Sequence, residues 1–321
     1  MTATAGSVAG LTMRPLAGDD DYWRLRELLR RAMVANGRRQ RSWHVARLDY
    51  WWWFVNPDIT HLDPQEHVFL WEDAAGELVA AVNPEGSGEA HLQVDPAAAS
   101  PELDEALIEV AEARLAAVRD GQRRLQVFVD AADTSRQAIL ARRGFRRLEQ
   151  TGVGEWQHRR DLGEPLPEVP VIPGYAVRPM ADGLELLERC YASGLAFHGD
   201  DIAVARRNRD DPAWYRHIQA APTYRRDLDI VAVAADGSVA AFCTAWLDDV
   251  SLTAYLEPVA TVAAHRRRGL ARAAILEALH RVQRMGCRIA FVGGYSDEAN
   301  ALYGSVMGPD HDVSEPWEKT D

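Results

Sequence analysis

Glu257-Pro-Val-Ala-Thr-Val-Ala-Ala-His-Arg-Arg-Arg-Gly-Leu-Ala-Arg272 is the stretch from which the fold can be read. An apolar run ends at Val262, a basic bend follows at Arg266-Arg267-Arg268-Gly269, and Leu270, Ala274, Ile275, Ala278 and Leu279 then recur at helical spacing. A strand, a tight bend and a helix are expected there. With Gly269 and the small Ala271 two apart, main-chain N–H groups can converge on an anion at the helix N-terminus, where the helix dipole also favours it. The three arginines add charge that suits a diphosphate. A solvated basic turn before a helix is the plain alternative; the strand, the helix and Tyr303 together favour the ligand loop.

The 321 residues carry a net charge of −12 and are 47% hydrophobic and 26% charged. That length favours two domains, and the mixture is globular rather than disordered. Phosphate affinity needs clustered cations, so the acidic balance opposes a nucleic-acid or membrane partner and suits a neutral or cationic one. Of the 36 basic residues, the single lysine is Lys319. Walker-type loops, the kinase strand lysine and internal Schiff-base lysines are thereby excluded. No run reaches the roughly 18 apolar residues of a membrane span and the start lacks a signal-peptide pattern, so a cytoplasmic location is expected. Cys190, Cys243 and Cys287 are scattered and odd in number, which reads as reduced, packed thiols.

Two strings repeat. Leu11–Gly18 (LTMRPLAG) and Tyr175–Gly183 (YAVRPMADG) place Arg14-Pro15 and Arg178-Pro179 164 residues apart, and Leu125–Asp130 echoes Arg288–Gly293 at nearly the same displacement. One fold used twice is expected, with residues 1–162 and 174–321 as domains and the proline-rich 163–173 as an extended linker. Each domain reads as a mixed, mostly antiparallel sheet flanked by helices, an α/β (α+β) class. The pattern predicts strands at 11–16, 68–72, 78–83, 90–94, 125–129 and beyond to 162, with helices at 20–35, 101–119 and 134–142. For the second half it predicts strands at 175–179, 229–235, 239–247, 252–262 and 288–292. Helices are expected there at 182–197, 211–220, 268–285 and 297–306, before a short tail strand.

Arg266-x-x-Gly269-x-Ala271 resembles motif A of the GNAT superfamily of acyl-CoA-dependent N-acyltransferases, Gln/Arg-x-x-Gly-x-Gly/Ala. Ser296-Asp-Glu-Ala299-Asn300-Ala-Leu302-Tyr303 is similar to that family's Asn-x-x-Ala-x-x-Leu/Phe-Tyr segment. The resemblance implies an acetyl-CoA co-substrate with its pyrophosphate on the loop amides and arginines of Arg266, Arg267, Arg268, Gly269, Leu270, Ala271 and Arg272. It implies pantetheine along Thr261 and Val262, aided by Ser296 or Asn300, and Tyr303 as the acid that protonates the departing thiolate. Ser296 departs from the usual Asn, and Met307-Gly308-Pro309 from the usual Gly-Phe ending. The last strands of this half are therefore expected to be short or completed by the other half.

The corresponding bend of the first half, Asp95-Pro-Ala-Ala-Ala-Ser-Pro101-Glu-Leu-Asp104, has no arginine or glycine, and its Glu102 and Asp104 would meet an anion with like charge. Leu140 stands at the tyrosine position, ahead of a retained Arg143-Gly144-Phe145. The layout, a degenerate first copy and a competent second, resembles tandem GNAT proteins, the group that includes the mycothiol synthases. The first half would support the fold and wall the acceptor cleft.

Glu257 alternates with Val259 and Thr261 on one strand face and is the candidate base, with a strand-edge ion pair as the equal alternative. Asp248, Asp249, Asp200 and Asp201 are candidates for recognising a cationic amine, or solvated loop carboxylates. Trp51-Trp52-Trp53-Phe54 and Trp43 read as core or interface, because consecutive aromatics cannot all face one pocket. His61 and His67 lack a third ligand, so no metal is expected. Gly86-Ser-Gly88 and Gly152-Val-Gly154 read as turns. The expected activity is acetyl transfer to a primary amine of a small molecule by direct attack in a ternary complex. A CoA-binding sensor and a protein N-acetyltransferase are the competing readings.

Overall fold

The computed structural model of the chain describes residues 8–149 and 154–321, so Gly152 and Val153 lie outside the described residues. It divides into two compact units: Met1–Gln157 with Tyr295–Asp297 and His311–Asp321, and His158–Gly294 with Glu298–Asp310. Neither is one contiguous stretch.

The elements of the first half are β1 (Thr12–Pro15), α1 (Asp19–Ala35), α2 (Val45–Tyr50), a π-helix (Trp51–Thr60), α3 (Pro64–His67), β2 (Phe69–Glu72), β3 (Leu78–Asn83) and β4 (Glu89–Val94). They continue with α4 (Pro101–Arg114), β5 (Ala117–Arg119), β6 (Gln122–Asp130), α5 (Thr134–Arg142), β7 (Arg146–Arg147) and β8 (Glu155–Asp161). The second half gives β9 (Tyr175–Pro179), α6 (Leu184–Phe197), α7 (Ile202–Asp210), α8 (Ala213–Ala220), β10 (Asp229–Ala234), β11 (Val239–Asp248) and β12 (Thr253–Thr261). It ends with α9 (Leu270–Arg284), β13 (Ile289–Gly294), α10 (Asp297–Met307) and β14 (His311–Thr320).

In the first unit the strands run β1-β2-β3-β4-β6-β14, all antiparallel except the parallel β4–β6 pair that α4 connects. Alternation sets the two cores. Phe69, Trp71, Ala80 and Val82 pack with Leu103, Leu107 and Ala111 of α4, whereas Val68, Leu70 and Ala81 face Leu25, Leu28 and Leu29 of α1. The tail strand is ten residues long and pairs Ser314–Thr320 with Asp130–Arg124 of β6. The second unit repeats the plan in β9-β10-β11-β12-β13, with β12–β13 the parallel pair and α9 its connection.

One sequence expectation is corrected and two elements are added. The helix expected to run to residue 119 stops at Arg114, because Asp120 (φ 53°) and Gly121 (φ 76°) form a two-residue hairpin turn that pairs β5 with β6. The tryptophan run forms a π-helix, and Asp201 caps a further helix, α7. The tryptophans are core: Trp51 is buried with Nε1 donating to Glu85 O at 3.0 Å, and Trp52 stacks on Tyr22 at 4.6 Å. The proline-rich segment is fastened within the second unit, where Gln283 donates to Leu162 O at 2.7 Å and Leu166 and Val169 pack on the α9 core.

Candidate active site

Beyond Tyr255–Phe291 no pairing joins β12 to β13, although β12 continues to Thr261 and β13 to Gly294. Opposite β11 the register shifts between Cys243 and Ala245, where Glu257 and Pro258 form a bulge that bends the strand. Val262 donates to Ala240 O at 2.9 Å, so the pleat turns the N–H and C=O of the preceding Thr261 to the opposite, open edge. Thr261 can therefore pair with an extended ligand through its N–H, its carbonyl being taken by Arg266 Nε at 3.2 Å. Val262 cannot do so through its N–H, and its carbonyl already accepts from His265 at 2.9 Å.

The bend is left-handed at Arg267 (φ 59°) and at Gly269 (φ 82°), a conformation that aims successive N–H groups at one point. Ala273 N–H is the first to close a helical bond, to Gly269 O at 3.0 Å, so the amides of Leu270, Ala271 and Arg272 face outward from the first turn of α9. Arg267 and Arg268 are exposed and pair with no acid among the described residues. Arg266 Nε donates to Thr261 O at 3.2 Å, and Arg272 reaches Ser305 O at 3.0 Å, tying α9 to α10. Tyr175 and His265 brace the bend through a 2.8 Å hydrogen bond. These groups fit a diphosphate: unclaimed donors, two unpaired guanidiniums and no opposing carboxylate.

Tyr303 is 7% exposed, and its hydroxyl has no hydrogen-bond partner among the described residues. Burial raises its pKa, with Cys243 and the charge of Glu257 adding to the effect, so the hydroxyl keeps its proton. Glu257 itself is half-buried and engaged with neighbouring groups. Gly294 allows α10 this close approach: a Cβ there would stand 2.1 Å from Asn300 Oδ1 and 3.2 Å from Tyr303 Cδ2. Asn300 Oδ1 is held 3.2 Å from His158 Nε2, whose ring meets Tyr303 edge-on at 5.8 Å. Ser296 is exposed, just before α10. His158 and Gly294 escaped sequence reading because no spacing links residue 158 to residue 300.

One of the four aspartates is not available to an amine. Asp248 is buried and takes the N–H of Ser251 at 3.0 Å together with its hydroxyl, so it builds the turn before β12. Asp201 caps α7 through Oδ1, accepting from Val204 N at 3.2 Å and Ala203 N at 2.8 Å, which lowers its pKa. Asp200, Asp201 and Asp249 are exposed.

The matching place in the first unit is closed. Asp95 donates to Val79 O at 2.9 Å, which turns Val94 toward the open edge as Val262 turns Thr261, but there Val94 N–H donates to Ser42 Oγ at 3.1 Å. The bend before α4 is capped by Ser100, which takes Leu103 N–H at 3.1 Å, and Asp104 is bound by Arg136 at 2.7 Å. Leu140 is fully buried in the core.

Residues 195–308 match the acetyltransferase (GNAT) family. This segment is similar to GNAT acetyltransferase domains. A GCN5-related N-acetyltransferase from Sphaerobacter thermophilus is similar over 98% of this chain and 96% of its own, at 20% identity and TM-score 0.64. A tandem GNAT protein from the clavulanic acid biosynthesis pathway is similar over 97% and 98%, at 17% identity and TM-score 0.60. A GNAT acetyltransferase from Colwellia psychrerythraea covers 96% and 100%, at 12% identity and TM-score 0.55. The chain therefore has the tandem GNAT fold. No curated protein matches it. No helix among the described residues is long and apolar enough to cross a membrane.

Proposed function

We propose that the chain transfers an acetyl group from acetyl-CoA to a primary amine of a small molecule by direct attack in a ternary complex. The observation that carries this reading is the pairing, within one unit, of an unclaimed anion loop at Arg266–Arg272 with the partnerless, protonated hydroxyl of Tyr303. Acetyl-CoA supplies the acetyl thioester. The amides of Leu270, Ala271 and Arg272 with Arg267 and Arg268 hold its diphosphate, and the open edge at Thr261 aligns its pantetheine arm. Tyr303 keeps the proton that the departing thiolate needs. Glu257 is the candidate to receive the proton of the amine, directly or through water. With Asp248 committed to a turn, amine recognition falls to Asp200, Asp201, Asp249 and Glu257. The acidic chain suits a cationic acceptor.

Acetyl-CoA is expected to raise the melting temperature, and a panel of small primary amines to produce thiol release. Stabilisation without release on any amine would instead identify a CoA-binding sensor. Release only with peptide amines would identify a protein N-acetyltransferase.

A further inference from the structure

Within the first unit, Glu89 and His91 stand two apart on β4, so their side chains leave the same face of the sheet, and Glu85 approaches from the turn before it. One ligand atom from each lies within 4.8 Å of the other two, and His91 Nε2 is 3.8 Å from Glu85 Oε2. That gap is too long for a hydrogen bond. One ion could touch all three atoms.

His91 is 6% exposed, and its Nε2 has no hydrogen-bond partner among the described residues. The ring lies flat on Phe128, with centroids 4.6 Å apart and planes 9° apart, and Trp43 packs at 4.8 Å from it. Aromatic contact therefore fixes the direction in which Nε2 points.

Arg47 pairs with Glu85 at 2.5 Å and with Glu155 at 2.6 Å. Among the described residues, Glu89 accepts a hydrogen bond only from the N–H of Gly86, at 2.9 Å.

We propose that Glu85, Glu89 and His91 bind one divalent transition-metal ion of the zinc or manganese type. Two carboxylate oxygens and an imidazole nitrogen are donors that both ions accept, and Arg47 then serves as the outer partner that orients Glu85. Ligands at about 2.1 Å from a tetrahedral ion stand about 3.4 Å apart, so a pair at the 4.8 Å limit closes by about 1.4 Å on binding. The sequence reading missed this group because it weighed His61 and His67, and His67 is committed to Asp63 O at 2.9 Å.

Calorimetric titration of ZnCl2 and MnCl2 into the chelator-treated full chain tests the site. The expected result is one saturating equivalent of at least one ion, weakened about tenfold or more by Glu89→Gln and by His91→Asn. The melting temperature should rise with metal in the unaltered chain alone. Absence of saturable uptake, or uptake unchanged in Glu89→Gln, overturns the proposal. If His91→Asn does not fold, Glu89→Gln decides alone, because that residue is half-buried and stacks on nothing.

Discussion

Arg14 grips Asp21 through both guanidinium nitrogens, at 2.5 and 2.6 Å, and Arg178 grips Glu185 in the same way at 2.9 and 2.8 Å. Each arginine precedes its acid by seven residues, and each also donates to the carbonyl of the following proline. Each acid in turn accepts a main-chain N–H from four residues earlier, Ala17 or Ala181. The short string that repeats in the sequence is thus one device used twice: it clamps the first strand of each unit to the start of the helix that follows.

The two clamps differ in burial, so their contributions should differ. Asp21 and Arg14 are 6% and 29% exposed and join Glu72 and Arg24 in a network, whereas Glu185 and Arg178 are 11% and 42% exposed and form a single pair. Asp21→Asn should destabilise by about 2 kcal/mol, a charged hydrogen bond in a protected place. Glu185→Gln should cost under about 1 kcal/mol. Arg14 lowers the pKa of Asp21 to about 2 from 3.8. The folded value lies below the unfolded one, so this stabilisation is complete above pH 3.8 and is lost as pH falls toward 2. Acid unfolding curves of the Asp21→Asn chain should lack that step.

Acetyl-CoA should bind once per chain, because Ser42 and Ser100 occupy in the first unit the positions that remain open in the second. Arg268→Glu should abolish binding by calorimetry, and Glu102→Gln should leave it unchanged. A stoichiometry of two would show that the first unit also binds.

Gly269→Asp should weaken acetyl-CoA by about tenfold or more. The left-handed conformation costs a substituted residue about 1 kcal/mol, and the added carboxylate repels the diphosphate. The space itself is open, since the nearest atom to a Cβ would be Ile172 Cδ1 at 3.6 Å, so folding should persist.

Tyr303→Phe should lower kcat by about 100-fold and leave acetyl-CoA affinity within about twofold. Because burial raises the hydroxyl pKa, the unaltered enzyme should show no loss of kcat from deprotonation of this group up to about pH 9.5. A descending limb near neutrality would assign the acid to another group.

Asp248→Ala should destabilise by about 2 kcal/mol and leave KM for the amine unchanged, since the carboxylate serves the Ser251 turn. A raised KM at full stability would restore it as a recognition residue.

Much of the fold was legible because its signals are local. Leu270, Ala274 and Leu279 mark a helix by spacing alone, Gly269 supplies the left-handed bend, and the Arg14 and Arg178 strings disclose the duplication. The helix overrun to residue 119 had a local signal that went unread, the Asp120-Gly121 turn. The commitment of Asp248 to a turn had none of comparable strength, because a carboxylate in a loop looks alike whether it faces solvent or a main-chain N–H.

Sequence by itself determined the repeated architecture and the chemistry of the Arg266–Arg272 bend, since both depend on neighbours within a few residues. Tertiary structure alone decided which backbone edges are open and which buried atoms lack partners. Ser42 meets Val94 across 52 residues, and His158 meets Asn300 across 142. Such contacts are set by the packing of whole elements, which no local spacing encodes.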